Sequence, residues 1–284
     1  NFDNDGAKAD DSMVIGIGST SEGINSTVIG NNNTLKGGQR DRDGVLRNNS
    51  IVAGENIEVD GTRNAVFATD YKDGEHKLTK VVGKHNTVIG VGNLVGYTAK
   101  ADPNNRNEFI YEKTDVTGSH DNVVVGIRNT VNGSSVVLGT SSEIKDGAQL
   151  GTSVGHANVI QGKGQYGVAL GNHLLVEGDQ SVVIGTDSKA TADGATAIGS
   201  ETKAVTKYGV ALGSYSVADR AKGVIGYLAG DKRSEVWKST LGALSIGGGE
   251  YNDTRQITGV AAGSADTDAV NVAQLKAVQK IAAA

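Results

Sequence analysis

The sequence Val182-Val183-Ile184-Gly185 belongs to a motif that decides how this chain folds, three β-favouring residues closed by glycine. Its consecutive copies begin 14 residues apart, at Val168-Ala169-Leu170-Gly171, Val182-Val183-Ile184-Gly185, Thr196-Ala197-Ile198-Gly199 and Val210-Ala211-Leu212-Gly213. Earlier copies are more widely separated, at Met13-Val14-Ile15-Gly16, Thr27-Val28-Ile29-Gly30, Ile51-Val52-Ala53-Gly54, Thr87-Val88-Ile89-Gly90, Val123-Val124-Val125-Gly126 and Val136-Val137-Leu138-Gly139, with Ala65-Val66-Phe67-Ala68 as a degenerate one. Such self-similarity predicts a solenoid interrupted by insertions.

The repeat length sets the shape of each coil. Three apolar residues bounded by glycine, serine, asparagine and aspartate are too short for a helix and indicate strands joined by turns. Fourteen residues provide two short strands and two tight turns, which is narrower than a triangular β-helix built from six-residue units. We therefore predict an all-β fold, a flattened parallel β-roll with one strand per face in each coil.

The triplets are apolar on both sides of the strand. Val182 and Ile184 point one way and Val183 the other, because strand side chains alternate. One side can fill the inside of the roll, but so thin a coil has no second layer to cover the other side. The pattern predicts association with further copies of the chain, and a trimer suits parallel subunits around one axis. The alternative is a monomeric β-solenoid with an ordinary core.

Composition supports an elongated shape and excludes some functions. The 284 residues include 41 glycines but only 3 phenylalanines and 1 tryptophan, so the core must be thin. The net charge of −5 does not favour nucleic acid, a membrane surface or other polyanions as partners. The chain has no cysteine and no long apolar run, and its first residues are polar. We expect a soluble piece whose membrane anchor lies outside it.

The C-terminal segment has a different pattern. After Leu244-Ser245-Ile246-Gly247 the chain becomes helix-like from Asp268 onward, and Asp266, Thr267 or Asp268 can cap that helix. Leu275, Val278 and Ala282 follow the three-then-four spacing of a coiled-coil seam, and the same register places Asn271 at a seam position. The pattern predicts the start of a coiled-coil stalk.

Two sets of motifs identify a family resemblance. The first is an apolar-Ala-Ile-Gly-x-x-Ser-x-Ala repeat, matched at 182–190, at 196–204 with Thr202 in place of serine, and at 210–218. The second is formed by Arg255-Gln256-Ile257, Val260-Ala261-Ala262-Gly263 and Asp268-Ala269-Val270-Asn271-Val272-Ala273-Gln274-Leu275, with Gly259 where asparagine is frequent. Over nearly its whole length the chain resembles the YadA-like head and neck of a trimeric autotransporter adhesin. The resemblance implies a trimeric left-handed parallel β-roll, a neck that widens onto a trimeric coiled coil, and an outer-membrane barrel that this chain lacks.

The resemblance predicts how the whole chain is divided into domains. We predict a head over 1–247 with insertions at 36–49, 69–85 and 91–122, a neck over 248–270 and the start of the stalk over 271–284. In this arrangement the residues expected to hold the trimer and neck together are Trp237, Arg255, Ile257, Val260, Asp268, Asn271, Gln274 and Leu275.

The third insertion is the candidate receptor site. It carries Tyr97, Arg106, Phe109 and Tyr111, and aromatic and arginine side chains outside a repeat core are common anchors of protein interfaces. The alternative is that these aromatics pack their own loop or a neighbouring subunit.

Nothing in the sequence indicates catalysis, a metal or a cofactor. Gly162-Lys163-Gly164-Gln165-Tyr166-Gly167 fits a dinucleotide fingerprint but lacks the βαβ unit that the fingerprint needs. The histidines occur singly, and Asp-Gly pairs such as Asp73-Gly74 indicate turns. The rival class, a β-solenoid acyltransferase or polysaccharide lyase, requires a six-residue period or a wide catalytic groove.

The family resemblance therefore carries the functional prediction. It implies a non-enzymatic virulence adhesin exported by type V secretion to the bacterial cell surface, on the extracellular face of the outer membrane. The partners that it implies are a host matrix protein such as collagen or fibronectin, or an immunoglobulin-like host receptor.

Overall fold

The computed structural model describes residues 6–9, 11–37, 48–72, 76–114, 120–145, 147–249 and 252–283, with the backbone alone for 71–72, 76–77 and 106–108. Within these ranges the chain forms 29 strands and one helix, α1 (Val272–Ala282). No helix in these ranges is long and apolar enough to cross a membrane.

Most strands belong to two parallel sheets, numbered here in chain order. Sheet I has 13 strands, which are β1 (Met13–Ile15), β3 (Thr27–Asn31), β5 (Ile51–Glu55), β7 (Ala65–Thr69), β11 (Thr87–Val91), β15 (Val123–Ile127), β17 (Val136–Thr140), β19 (Thr152–His156), β21 (Val168–Asn172), β23 (Val182–Thr186), β25 (Thr196–Ser200), β27 (Val210–Leu212) and β29 (Leu244–Ser245). Sheet II has 12 strands, which are β2 (Thr20–Ser21), β4 (Thr34–Lys36), β6 (Ile57–Thr62), β10 (Thr79–Lys84), β12 (Leu94–Val95), β16 (Thr130–Val131), β18 (Glu143–Ile144), β20 (Val159–Ile160), β22 (Leu175–Val176), β24 (Lys189–Ala190), β26 (Lys203–Ala204) and β28 (Val217–Ala218).

The chain alternates between the two sheets, adding one strand to each in most coils. The register places repeat positions on top of one another, so that Val183 lies between Ala169 and Ala197 and Gly185 lies opposite Gly199. This arrangement confirms the predicted all-β parallel roll. The trimer and the left hand of the roll stay predictions.

The middle residue of each triplet faces the inside of the roll. Val28, Val88 and Val183 are fully buried in one continuous core with Leu35 and Ile144 from sheet II. In the last coils the core narrows to alanine, at Ala190, Ala197, Ala204, Ala211 and Ala218. The first and third triplet residues point outward. The side chains therefore alternate between the two faces of the strand as predicted, and the structure shows that the middle residue is the inward one.

The glycine that closes the triplet is required by close stacking of the coils. Gly185 has a φ of +134°, and a Cβ added there would lie 1.7 Å from the carbonyl oxygen of Gly199. Glycine alone adopts such a backbone conformation readily and leaves room for the neighbouring coil. The degenerate copy keeps an alanine at position 68, where the backbone φ is not positive.

Buried polar side chains tie the corners of successive coils together. Asn129 illustrates the pattern, because its Nδ2 donates to the Gly139 carbonyl at 2.8 Å and its Oδ1 accepts from the Ser142 amide at 3.0 Å. The amide of Asn129 in turn donates to Oδ1 of Asn93 at 3.0 Å. Such ladders satisfy backbone groups that the turns would otherwise bury without a partner.

Three segments depart from the simple coil. A short hairpin, β8 (Tyr71–Lys72) and β9 (His76–Lys77), follows β7, and a longer one, β13 (Tyr97–Asp102) and β14 (Asn105–Lys113), follows β12. A third segment, 219–243, separates β28 from β29, although β29 still pairs with β27. Of the predicted insertion 36–49, residues 38–47 lie outside the described part of the chain.

Candidate functional site

The β13–β14 hairpin contains the predicted receptor residues. Its two strands are antiparallel, with Ala99 opposite Tyr111 and Ala101 opposite Phe109, and the register shifts next to Asp102. The side chain of Arg106 lies outside the described residues. Away from the register shift, the hairpin is a two-stranded antiparallel extension of the roll.

Two of the four predicted receptor residues fix the hairpin to the roll. Tyr97 is only 3% exposed and packs against Val82 and Leu94, and the half-buried Tyr111 packs on the same cluster. The Leu78 amide donates a hydrogen bond to the Tyr111 hydroxyl at 2.8 Å. These contacts follow the alternative in which the aromatics pack their own loop, so Tyr97 and Tyr111 offer little surface to a partner.

Charged groups surround the base of the hairpin. The Lys80 ammonium lies 5.7 Å from the centre of the Tyr97 ring and 5.0 Å from that of Tyr111, and it is paired with Glu58. Lys36 also pairs with Glu58, at 2.6 Å. Lys113, at the end of β14, pairs with Asp60 of the roll. The hairpin is thus held by a charge network as well as by its apolar contacts.

The surroundings shift the ionisation of these groups. Burial, reinforced by the charges of Glu58 and Asp60, raises the pKa of Tyr97 far above its usual range, and burial also raises the pKa of Tyr111. Burial disfavours the charged form of Glu58 as well. The hydrogen bonds from Lys36 and Lys80 outweigh that effect and hold the pKa of this carboxyl below its ordinary value.

Phe109, whose ring centre lies 6.5 Å from that of Tyr111, lines an open cleft. The cleft has a volume of about 360 Å³ and lies between the hairpin and the neighbouring coils. Its lining residues are Thr98, Ala99, Phe109, Arg128, Thr130, Ser141, Ser142 and Glu143. Ile110, next to Phe109, is 45% exposed. Sequence reasoning found Phe109 but missed Arg128 and Glu143, which occupy ordinary repeat positions and become neighbours of the hairpin only through the fold.

The neck residue Arg255 closes the last coil of the roll. Its guanidinium donates to the Ser216 hydroxyl at 3.2 Å, to the Ser214 carbonyl at 2.5 Å and to the Ile246 carbonyl. These bonds satisfy polar groups that have no further coil to pair with. Trp237, by contrast, lies half-buried in the 219–243 segment, where the Lys232 ammonium sits 4.2 Å from its ring centre.

The helix α1 begins at Val272, and Asn271 is its N-cap. The Asn271 side chain accepts from the Gln274 amide, and Oε1 of Gln274 accepts in turn from the Asn271 amide, which completes a capping box. The prediction that Asp266, Thr267 or Asp268 caps the helix is therefore wrong. The capping box stabilises the start of α1, and this effect does not depend on which residues form a coiled-coil seam.

The remaining neck residues connect the loop to the helix. Asn271 donates to the Val260 carbonyl at 3.2 Å, and Gln274 exchanges two 3.0 Å bonds with the Gly263 backbone. The amides of Ser264 and Ala265 donate to Asp268 and hold the pKa of its carboxyl below the usual range. Two predicted neck residues, Ile257 and Leu275, are about two-thirds exposed in the single chain.

The chain thus consists of a parallel β-roll, a neck and a capped helix. Protein families with known members match both the roll and the segment that contains the helix. Residues 7–33, 177–202 and 190–216 match the YadA head domain repeat, and 256–284 match the coiled stalk of trimeric autotransporter adhesins. These matches to the head repeat and to the coiled stalk confirm the family resemblance.

Individual relatives agree. The autotransporter adhesin BadA of Bartonella henselae is 56% identical over 69 residues, which are 22% of this chain and 2% of BadA. The trimeric autotransporter adhesin AtaA of Acinetobacter sp. (strain Tol 5) is 65% identical over 40 residues, 14% of this chain and 1% of AtaA. The chain therefore spans only a small part of either relative. Both are adhesins, in agreement with the prediction that this chain is not an enzyme.

Among solved structures, the crystal structure of the collagen-binding domain of the Yersinia adhesin YadA is 19% identical in sequence to this chain. The match covers 93% of this chain and 86% of that domain, with a TM-score of 0.34.

Proposed function

We propose that this chain is the head and neck of a homotrimeric bacterial adhesin, held away from the outer membrane and attached by several weak contacts to a host surface. The observation that carries the proposal is the outward face of sheet I. Its third triplet residues stack coil on coil into a continuous apolar row, on a roll whose interior is already filled.

The exposed row is too apolar for a face in permanent contact with water. Ile29 is 41% exposed, Ile89 42% and Leu212 44%, and equivalent positions in other coils are similarly open. Monomeric proteins rarely expose contiguous apolar patches of this extent. Two further copies of the chain would cover the row along its whole length, and the exposed Leu275 and Val278 of α1 would pair in the same assembly.

The association state tests this part of the proposal. The wild-type chain should sediment with three times the mass of one chain, and Ile89→Lys combined with Ile184→Lys should abolish the trimer. The control is Lys189→Glu combined with Lys203→Glu on sheet II, which should leave it intact. A well-folded wild-type chain that sediments as a monomer would refute the trimer.

Attachment is assigned to the outer part of the β13–β14 hairpin. Phe109 provides an apolar contact at the cleft, where Arg128 and Glu143 provide charge, and the exposed Ile110 adds apolar surface on the other side of the same strand. Because a trimer presents three copies, weak single contacts produce durable attachment through a high effective concentration. The partners proposed on the family resemblance are a matrix protein such as collagen or fibronectin, or an immunoglobulin-like receptor on the host cell.

A panel of immobilised matrix proteins and receptors tests the site. Phe109→Ala combined with Ile110→Ser should reduce binding of the trimer to its partner by tenfold or more, in the ~2 kcal/mol range of an interface hot spot. Lys100→Gln, at an exposed ion pair on the same hairpin, serves as the control and should change binding little. Unchanged binding by the double variant would eliminate the hairpin as the contact surface.

A further inference from the structure

The receptor contacts proposed above do not involve the 219–243 segment. Its two arms are held together by backbone hydrogen bonds from Gly223 to Ser239 at 2.8 Å, from Gly226 to Trp237 at 2.7 Å and from Ser239 to Val224 at 3.1 Å. Ile225 and Lys238 form an antiparallel bridge in the same place. The segment is therefore a defined loop that folds back on itself, and it brings side chains from distant positions together.

A basic cleft of about 450 Å³ lies on this loop. Its lining residues are Lys222, Gly223, Arg233, Glu235, Lys238, Ser239 and Thr240. Three cationic side chains thus surround one opening together with a single carboxylate. The segment as a whole has five basic and three acidic residues, whereas the complete chain has a net charge of −5. The loop is therefore a local positive region on a negative protein.

Among the described residues, the positive charges of the cleft have no carboxylate partner. In the part of the chain that the structure describes, no carboxylate lies within 4 Å of the side-chain nitrogens of Lys222, Arg233 or Lys238. Glu235 lines the cleft without pairing with any of them. Three like charges around one opening repel one another, and an anion bound among them would relieve that repulsion.

Two of the polar groups are already held in place. Arg233 Nη1 donates to the carbonyls of Gly230 at 2.7 Å and Lys232 at 2.9 Å, which restricts the guanidinium. The Ser239 hydroxyl accepts from the amides of Gly223 at 3.1 Å and Val224 at 3.2 Å. Since a hydroxyl also has one hydrogen to donate, Ser239 can donate toward the cleft. Binding an anion therefore requires little ordering of these groups.

We propose that this cleft binds an acidic saccharide unit through its sulfate or carboxylate oxygens. Lys222, Arg233 and Lys238 neutralise the anionic group, while Ser239, Thr240 and Glu235 exchange hydrogen bonds with sugar hydroxyls. The site is distinct from the hairpin cleft around Phe109 and does not depend on it.

Two other polyanions fit this cleft less well. Single-stranded nucleic acids are usually bound with their bases stacked on aromatic side chains, and the lining of this cleft contains no aromatic residue. An acidic peptide adding to the loop as a strand would need free backbone groups, and the backbone groups that join the two arms are already bonded to each other. A sugar unit needs neither feature. The whole-chain charge argued against polyanions, but a local cleft can bind one acidic unit even so.

The inference is tested by calorimetry on the intact chain with four defined probes at 50 and 150 mM salt. The probes are a heparin hexasaccharide, which carries sulfate, a hyaluronan hexasaccharide, which carries carboxylate alone, neutral maltohexaose and hexaglutamate. We expect at least one acidic saccharide to bind, with an affinity that falls as salt rises, and maltohexaose to give no signal. Comparison of the two acidic saccharides identifies whether sulfate or carboxylate is preferred.

The variant Lys222→Gln with Lys238→Gln should lower this affinity about tenfold, because two charge-assisted contacts are lost. The matched control is Lys189→Gln with Lys203→Gln, which removes the same charge from adjacent strands of sheet II, and it should retain wild-type affinity. Circular dichroism of both variants verifies that the roll is intact. The inference fails if neither acidic saccharide binds, if both double variants lose affinity equally, or if hexaglutamate binds as tightly as the saccharides.

Discussion

Replacing Gly185 by alanine tests whether close stacking of the coils governs stability. The added Cβ would lie 1.7 Å from the Gly199 carbonyl oxygen, although Cβ contacts below 3.0 Å are essentially never observed. The two coils would have to separate by more than 1 Å, which weakens the backbone bonds that join β23 to β25. Losing two such bonds costs about 2 kcal/mol, and the alanine backbone at a φ of +134° costs about 2 kcal/mol more.

We therefore expect Gly185→Ala to lower the free energy of unfolding by about 4 kcal/mol per chain. The matched control is Gly230→Ala, since Gly230 has a φ of +55° and no atom within 4 Å of an added Cβ. That change should cost only about 1 kcal/mol, the backbone penalty alone. Any gain from reduced flexibility of the unfolded chain is similar in both variants.

Urea unfolding followed by circular dichroism measures both variants at the same protein concentration. The difference between them, about 3 kcal/mol, isolates the contact with the next coil. If Gly185→Ala is no more destabilising than Gly230→Ala, the coils do not stack as closely as described and the reasoning about the motif glycine is wrong.

Changes at three further residues probe other parts of the fold. Asn129→Ala should cost about 3 kcal/mol in urea unfolding, because it leaves a buried amide and a buried carbonyl of neighbouring coils unpaired, and a loss below 1 kcal/mol would contradict the ladder. Tyr97→Phe should keep or raise the Tm, since it removes a buried hydroxyl that has no partner among the described residues, whereas Tyr97→Ala should cost about 3 kcal/mol and open the hairpin to proteolysis; a loss of stability in both variants would contradict this. Glu58→Gln should be less stable than wild type at pH 7 in thermal unfolding. Because the folded pKa of Glu58 is lowered, the difference should shrink as pH falls below the ordinary value of 4.5, and a difference that persists at acid pH would refute the ion pairs as its source.

Much of the fold could be predicted because its determinants are local. Strand alternation and the spacing of the motif identify which residues share a face, and stacked coils repeat that relation in register. The sequence left open whether Val183 faces inward or outward, and burial in the structure places it inside. The cap of α1 was predicted at Asp266, Thr267 or Asp268, before its actual position at Asn271. Several residues of this stretch can cap a helix, and only the contacts of Asn271 with the preceding loop select it.

The candidate sites depend on contacts between coils and insertions. These contacts could not be predicted, because the insertions do not follow the repeat of the roll. Tyr97 and Phe109 look alike as aromatic residues of one insertion, yet Tyr97 packs on Val82 and Leu94 and Phe109 lines a cleft with Arg128.

The sequence by itself determined the repeat, the parallel strands and the apolar character of both strand faces, because these follow from spacing and alternation within a few residues. Only the tertiary structure decided which aromatics are anchors, that the His156 and His173 rings meet edge to face with their centres 5.4 Å apart, and that Lys222 and Lys238 share a cleft. The physical reason is that the path of an irregular loop depends on the surfaces against which it packs, and those surfaces exist only once the roll has formed.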